Sequence, residues 1–168
     1  KVAWSFKSDP GTVYRSNPLA HDNVDYAHAA GLTGAGQTIA FVDEGYLTTH
    51  QELTGKTITM PAGIYAPGID DHGTATTSIA AGTGAVGDMI GVAPGAKWIA
   101  CRNMDHGNGR PSTYLECNQF FLAPWPHGGD PERDGDPSKA PNIVNNSWGC
   151  PTSEGCQPLT LEGSFAAL

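Results

Sequence analysis

Short apolar runs punctuate the chain and predict the strands of a buried sheet. The run at residues 38–42 carries β-branched and aromatic side chains and predicts a buried strand that ends at Asp43. Residues 97–101 and 142–147 predict two further strands, and residues 56–60 predict a weak one. These runs are too short and too regularly interrupted by Gly and Pro for long helices.

Helical signals fall between the predicted strands. A short helix is predicted at residues 24–30, and the small residues from 73 to 82 favour a helix that packs closely, although Thr is a poor helix former. A third helix is predicted at residues 112–121, where Thr113 and Glu116 fit a capping box. Strands that alternate with helices indicate an α/β fold built on a parallel sheet.

A last helix is predicted by apolar residues at helical spacing. Leu161, Phe165 and Leu168 stand at positions i, i+4 and i+7, so the helix is expected to begin near Leu159. An apolar helix face needs a partner surface, which suggests that the chain is part of a larger domain. Residues 1–30 lack clear periodicity and are interpreted as an N-terminal arm, and residues 31–168 are interpreted as the N-terminal part of that larger domain.

Composition narrows the class of protein. Hydrophobic residues make up 39% of the 168, while Gly and Pro contribute 22 and 13, which favours a loop-rich fold with small side chains. No apolar run approaches the roughly 18 residues of a membrane span. The net charge of −8 argues against nucleic acid and against an anionic membrane surface as partners, because both attract Lys and Arg.

The four cysteines indicate an oxidising compartment. Their even number and spacing suggest the disulfides Cys101–Cys117 and Cys150–Cys156, and so a secreted, extracellular protein. No C-x-x-C pair is present, which argues against a structural zinc site. Four buried thiols in a cytosolic protein remain the alternative.

Asp43 and His72 are the candidate acid–base pair. Asp43 ends a buried strand, and functional groups gather at strand ends in open α/β sheets. A carboxylate that binds one imidazole nitrogen leaves the other to accept a proton. Spacing alone favours the simpler interpretation of a strand-end Asp and a His that caps a helix.

Four segments of the sequence resemble the subtilisin-like serine proteases of peptidase family S8. Residues 34–45 resemble the segment around the catalytic Asp, and residues 72–82, beginning His72-Gly73-Thr74, resemble the catalytic His helix. Residues 91–97 are similar to the loop and strand that follow, and residues 143–149 to the substrate-binding strand. The order of the segments is that of the family, and the stretch from Cys101 through the Cys150–Cys156 loop is most similar to its bacillopeptidase F-like branch.

This resemblance implies a fold, a reaction and a set of roles. The fold would be a subtilisin-like three-layer parallel sheet with helices on both faces, apparently incomplete in this chain. Asp43 would orient the imidazole and His72 would act as general base and then acid in an Asp-His-Ser triad. Ser147, Trp148 and Gly149 would pair their backbone with an extended polypeptide substrate.

The chain also departs from the pattern of the family. Glu44 stands where Thr or Ser is usual, and Thr76 stands where His or Val is common; both departures are expected to affect packing more than activity. No Gly-Thr-Ser-Met-Ala block and no oxyanion Asn block are present. Ser164 superficially resembles the nucleophile, but it follows the substrate strand too closely and continues a predicted helix.

A run of acidic residues is a weakly supported candidate for a metal site. Asp130, Asp134 and Asp136 could ligate Ca²⁺ as a structural ion through their oxygens, although a solvated acidic loop explains the same run. No cofactor is required by the expected reaction.

The sequence therefore favours a secreted serine endopeptidase that acts on polypeptides. This chain would supply Asp and His, and a complementary C-terminal segment or second chain would carry the catalytic Ser, so that the isolated chain is expected to be inactive. A non-catalytic binding or structural module on a degenerate scaffold is the main alternative, and a metal-dependent hydrolase is a weaker one.

Overall fold

Among the residues that the computed structural model describes, a parallel sheet with helices on its two faces forms the framework of the protein. The structure describes Leu19 and residues 22–55, 71–84, 89–126, 128–149, 151–155, 157 and 159–168. The helices are α1 (Val24–Ala29), α2 (Asp71–Ala81), α3 (Pro111–Leu122) and α4 (Glu162–Ala167), with 3₁₀ turns at Pro137–Lys139 and Thr152–Glu154. The strands are β1 (Thr38–Asp43), β2 (Lys97–Arg102), β3 (Met104–Asp105), β4 (Asn108–Gly109) and β5 (Ile143–Asn146). The weak strand predicted at residues 56–60 lies outside the described residues.

Strand β1 is the centre of the main sheet. The strand order is β2-β1-β5, and both neighbours run parallel to β1. Thr38 pairs with Lys97 and Asp43 with Arg102, so β1 and β2 are aligned along their whole length. Every residue of β1 after Thr38 is buried, as expected for a parallel strand covered on both faces. The predicted α/β class with a parallel sheet is confirmed.

Alternate residues of β1 enter two separate hydrophobic cores. Ile39 and Phe41 lie in a first core that contacts α2 through Ala80. Ala40 and Val42 lie in a second core, formed with α3 residues such as Phe120. Helices therefore cover both faces of the sheet, as the resemblance implied, and β1 is held from both sides.

Two details at the helix ends differ from the sequence predictions. Thr113 is not the N-cap of α3, because the helix begins earlier, at Pro111, and Arg110 occupies the cap position. The Thr113 hydroxyl instead accepts a hydrogen bond from the Arg110 backbone N–H at 3.1 Å. Helix α4 begins at Glu162 and not near Leu159, since Leu159 has a left-handed backbone with φ of 68°.

The sequence patterns did not predict the small hairpin of β3 and β4. Met104 pairs with Gly109 and Asp105 with Asn108 in an antiparallel arrangement. His106 and Gly107 form its turn with φ values of 49° and 77°, the positive values that two-residue hairpin turns require. This hairpin directly follows β2 and so lies beyond the carboxyl end of the central sheet.

Candidate active site

Asp43 and His72 meet at the carboxyl end of β1. Asp43 is the last residue of β1 and is completely buried, and His72 is the second residue of α2. His72 Nδ1 lies 2.7 Å from Asp43 Oδ1. A carboxylate oxygen accepts, so the proton of this bond belongs to Nδ1, and Nε2 then carries the basic lone pair of the neutral ring. The His72 side chain is 37% exposed, which leaves the imidazole accessible to a reacting group.

Two more donors bind the Asp43 carboxylate. The Glu44 backbone N–H donates to Oδ1 at 2.8 Å, and the Thr76 hydroxyl lies 3.1 Å from Oδ2. The backbone carbonyl of Asp43 also accepts a hydrogen bond from the Asn103 N–H at 3.1 Å. Each carboxylate oxygen therefore has a polar partner, as a buried acidic group requires.

Close approach of α2 to the turn after β1 brings the two side chains together. A Cβ atom on Gly73 would lie 3.2 Å from Asp43 Cβ and well inside 3.0 Å of the Gly45 carbonyl oxygen. The Thr74 hydroxyl accepts from the Leu47 backbone N–H at 2.9 Å and joins the same helix to the same loop. Glycine at position 73 is thus what allows the contact between His72 and Asp43.

Tyr46 supports this end of the sheet from the first core. Its hydroxyl donates to the Phe41 carbonyl at 2.7 Å, and its ring packs against Trp98. Burial raises the pKa of Tyr46 well above its usual 10.0, and the nearby negative charge of Asp43 raises it further. The hydroxyl therefore stays protonated and donates over the whole physiological range.

The residues of the predicted substrate strand follow β5. Ser147 and Gly149 are exposed, and Ser147 Oγ accepts from Asn145 Nδ2 at 2.7 Å. Trp148 is half-buried, with its ring centroid 4.4 Å from that of Tyr114 and 6.1 Å from that of Phe165. The indole anchors the segment on α3 and α4 while its two neighbours face solvent.

One of the two predicted disulfides falls within the described residues. Cys101 on β2 and Cys117 on α3 are joined across the second core. Cys150 and Cys156 lie outside the described residues. The observed bond ties α3 to the strand that pairs with β1 beside Asp43.

The acidic loop uses its carboxylates in local turns. Asp134 Oδ2 accepts from the Asp130 N–H at 2.8 Å, and Asp136 Oδ1 accepts from the Ser138 N–H at 3.0 Å. The hydrogen bonds from Ser138 hold the pKa of Asp136 below its usual value. In the part of the chain that the structure describes, no cluster of three or more His, Cys, Asp or Glu residues could hold a metal ion.

Ser164 is engaged elsewhere in the fold. Its hydroxyl donates to the Leu161 carbonyl at 2.8 Å and accepts from Asn118 Nδ2 at 2.9 Å. The single hydroxyl proton of Ser164 is therefore engaged in a hydrogen bond to the backbone at the start of α4. This arrangement agrees with the interpretation of Ser164 as a helix residue.

The contact of Thr76 with Asp43 goes beyond the effect on packing that the sequence predicts for this position. The one available signal was the four-residue spacing from His72, which puts both side chains on one helix face. That spacing alone does not reveal which acceptor the hydroxyl reaches.

A buried strand-end Asp hydrogen-bonded to a His at the start of a helix, on a parallel α/β sheet, agrees with the family comparison. The model of the subtilase family, peptidase S8, matches residues 34–163, and the chain belongs to this family.

Three curated relatives are similar to the chain. Bacillopeptidase F of Bacillus subtilis (strain 168) is 35% identical over 143 residues, which cover 73% of this chain and 10% of that protein. An extracellular serine protease of Serratia marcescens is 33% identical over 135 residues, 76% of this chain and 11% of the relative. A calcium-dependent protease of Nostoc sp. is 38% identical over 91 residues, 49% of this chain and 13% of the relative. The chain spans only about a tenth of the length of these relatives.

None of the helices among the described residues is both long enough and apolar enough to cross a membrane.

Proposed function

We propose that this chain supplies the acid–base half of a secreted serine endopeptidase. Asp43 orients His72 and stabilises the imidazolium that forms when the ring takes a proton. His72 Nε2 removes the proton of a serine hydroxyl and later returns it to the leaving amine. The 2.7 Å bond between His72 Nδ1 and the buried Asp43 carboxylate is the observation that carries the proposal.

The nucleophile and the oxyanion-hole Asn come from a downstream segment or a second chain. This part of the proposal is supported by the family of the chain and by Ser164, whose proton is used in α4. In subtilisin, another family member, loss of the nucleophile costs about 10⁶-fold in kcat. The 168-residue segment alone is therefore expected to be inactive.

The substrate is a polypeptide in an extended conformation. Ser147 and Gly149 are exposed on either side of the anchored Trp148, so their backbone groups are open to pairing with a peptide. Main-chain hydrogen bonds of this kind give affinity with little side-chain selectivity. Calcium could act as a structural ion in the whole protein, a suggestion prompted by the name of the Nostoc relative.

The decisive experiment uses the whole protein as expressed from its gene. Peptide hydrolysis and fluorophosphonate labelling are measured for the wild type and for Asp43→Asn, which keeps the size of the side chain but favours the wrong imidazole tautomer. We expect kcat to fall about 10⁴-fold. The matched control is Asp105→Asn, because Asp105 also contacts a histidine, His106, at 3.0 Å, but both side chains are largely exposed.

Each outcome separates the candidate functions. Labelling and hydrolysis that depend on Asp43 and not on Asp105 support the serine peptidase. A whole protein that neither hydrolyses peptides nor reacts with the probe would contradict the proposal and support a binding module. Hydrolysis that is abolished by a chelator but insensitive to fluorophosphonate would support a metal-dependent hydrolase. Labelling of the 168-residue segment alone would return Ser164 to consideration as nucleophile.

A further inference from the structure

The hydroxyl of Thr76 contacts the carboxylate oxygen opposite to the one that binds His72. Thr76 follows His72 by four residues on α2, so the two side chains project from one face of the helix. Thr76 Oγ1 is 3.1 Å from Asp43 Oδ2, and His72 Nδ1 is 2.7 Å from Asp43 Oδ1. One helix face thus holds both oxygens of a single buried carboxylate.

The two contacts together restrict rotation of the carboxylate. The terminal torsion of Asp is broad, so the hydrogen bonds to its oxygens, more than the intrinsic preference of the torsion, determine how the carboxylate is rotated about its Cβ–Cγ bond. The Glu44 N–H and the His72 ring both bind Oδ1, so these two hydrogen bonds act on one oxygen of the group. The Thr76 hydroxyl binds the other oxygen, so rotation about the Cβ–Cγ bond must break hydrogen bonds at both oxygens and is resisted more strongly than with bonds at Oδ1 alone.

The Thr76 proton has two acceptors within reach. Oγ1 lies 3.1 Å from Asp43 Oδ2 and also 3.1 Å from the Gly73 carbonyl of its own helix. An ionised carboxylate is the stronger acceptor, because charge-assisted hydrogen bonds are about twice as strong as neutral ones. The bond to Asp43 is therefore favoured whenever that carboxylate is ionised.

We propose that Thr76 is a positioning residue, whose hydroxyl holds the Asp43 carboxylate in the rotation that keeps Oδ1 on His72 Nδ1. It touches neither the peptide nor the attacking serine and acts through Asp43 alone. The consequence for catalysis rests on the proposed function, whereas the effect on the bond between His72 and Asp43 does not.

The test is the variant Thr76→Val in the whole protein, since Val keeps the branched shape and loses the hydroxyl. NMR of protein labelled with ¹⁵N-histidine follows the downfield proton of His72 Nδ1–H, and peptide hydrolysis gives kcat and KM. We expect this proton signal to broaden or move upfield and kcat to fall about tenfold with KM unchanged, because misorientation of a catalytic pair slows chemistry without weakening substrate binding. Thr76→Ser is expected to restore both the signal and kcat.

The matched control is Thr77→Val on the same helix. Thr77 Oγ1 is buried and makes no hydrogen bond to any residue that the structure describes, so its loss removes a hydroxyl without touching Asp43. We expect this variant to match the wild type in the proton signal and in kcat.

Several results would overturn the proposal. These are a Thr76→Val variant with the wild-type proton signal, with or without a fall in kcat, and a Thr76→Ser variant that behaves like Thr76→Val. If Thr76→Val does not fold, Thr76→Ala replaces it in the same comparison with Thr76→Ser. A wild-type protein that cleaves no peptide would instead refute the proposed function, and the proton signal would still decide the role of Thr76.

Discussion

Replacing Gly73 with Ala tests whether close approach of α2 creates the candidate site. The added Cβ would lie 3.2 Å from Asp43 Cβ and well inside 3.0 Å of the Gly45 carbonyl oxygen, which is backbone and cannot swing aside. Helix α2 and the turn after β1 must then separate by roughly 1 Å to restore van der Waals distances.

The energetic balance favours destabilisation. Overpacking of this kind typically costs about 1–3 kcal/mol. Ala is a better helix former than Gly by about 1 kcal/mol, which offsets part of that cost. We therefore expect Gly73→Ala to lower the free energy of unfolding by up to about 2 kcal/mol. The same displacement stretches the bond between His72 and Asp43, and a 1 Å misplacement can cost about 100-fold in rate.

Urea denaturation of the whole protein measures this change. Trp98 is fully buried in the first core, next to Tyr46, so its fluorescence reports on the packing of this side of the sheet. Peptidase activity is measured on the same samples.

The control is Gly163→Ala in α4, where an added Cβ meets nothing within 4 Å. There the helix propensity acts alone, so stability should rise by up to about 1 kcal/mol. A Gly73→Ala variant as stable and as active as the wild type would refute the reasoning from close approach.

Two further predictions concern the framework of the site. Tyr46→Phe should destabilise the protein by about 0.5–1.5 kcal/mol at neutral pH, measured by urea denaturation, because the hydrogen bond from the Tyr46 hydroxyl to the Phe41 carbonyl is lost. The pKa of Tyr46 is raised on folding, and the unfolded state releases this proton near the ordinary value of 10.0, so the wild type should lose stability as the pH rises above 10.0. The Tyr46→Phe variant should lose less stability over the same pH range. An equal dependence of the free energy of unfolding on pH in the two proteins would contradict this explanation. Replacing Cys101 and Cys117 together by Ala should lower the free energy of unfolding by roughly 3 kcal/mol, the loop-closure value for a bridge of this span. An unchanged denaturation midpoint would show that the disulfide contributes nothing.

The buried strand of the site could be predicted from the sequence because burial leaves a local pattern. Residues 38–42 are a continuous apolar run, and a strand covered on both faces has no polar positions to interrupt it. Asp43 ends that run and is therefore recognisable as a strand-end carboxylate. Helix α2 was less evident, because its Thr-rich sequence is a poor helix former and the resemblance to a family carried much of the prediction.

The remaining features depend on distances between elements that are far apart in the chain. Thr76 reaches Asp43 across 33 positions, and neither residue type by itself specifies that contact. Strands β3 and β4 have two residues each, too few for any periodicity to register. The late start of α4 follows from the left-handed backbone of Leu159, which is uncommon for a Leu and so was not expected.

The position of β1 between two cores has a consequence for protein engineering. Because Phe41 belongs to one core and Val42 to the other, a substitution that repacks either face also moves the strand that ends at Asp43. Substitutions inside this sheet that raise thermal stability would therefore also disturb the alignment of the Asp43 carboxylate. Exposed helix positions such as Gly163 offer a safer starting point, since they can be altered without transmitting a displacement to the central strand.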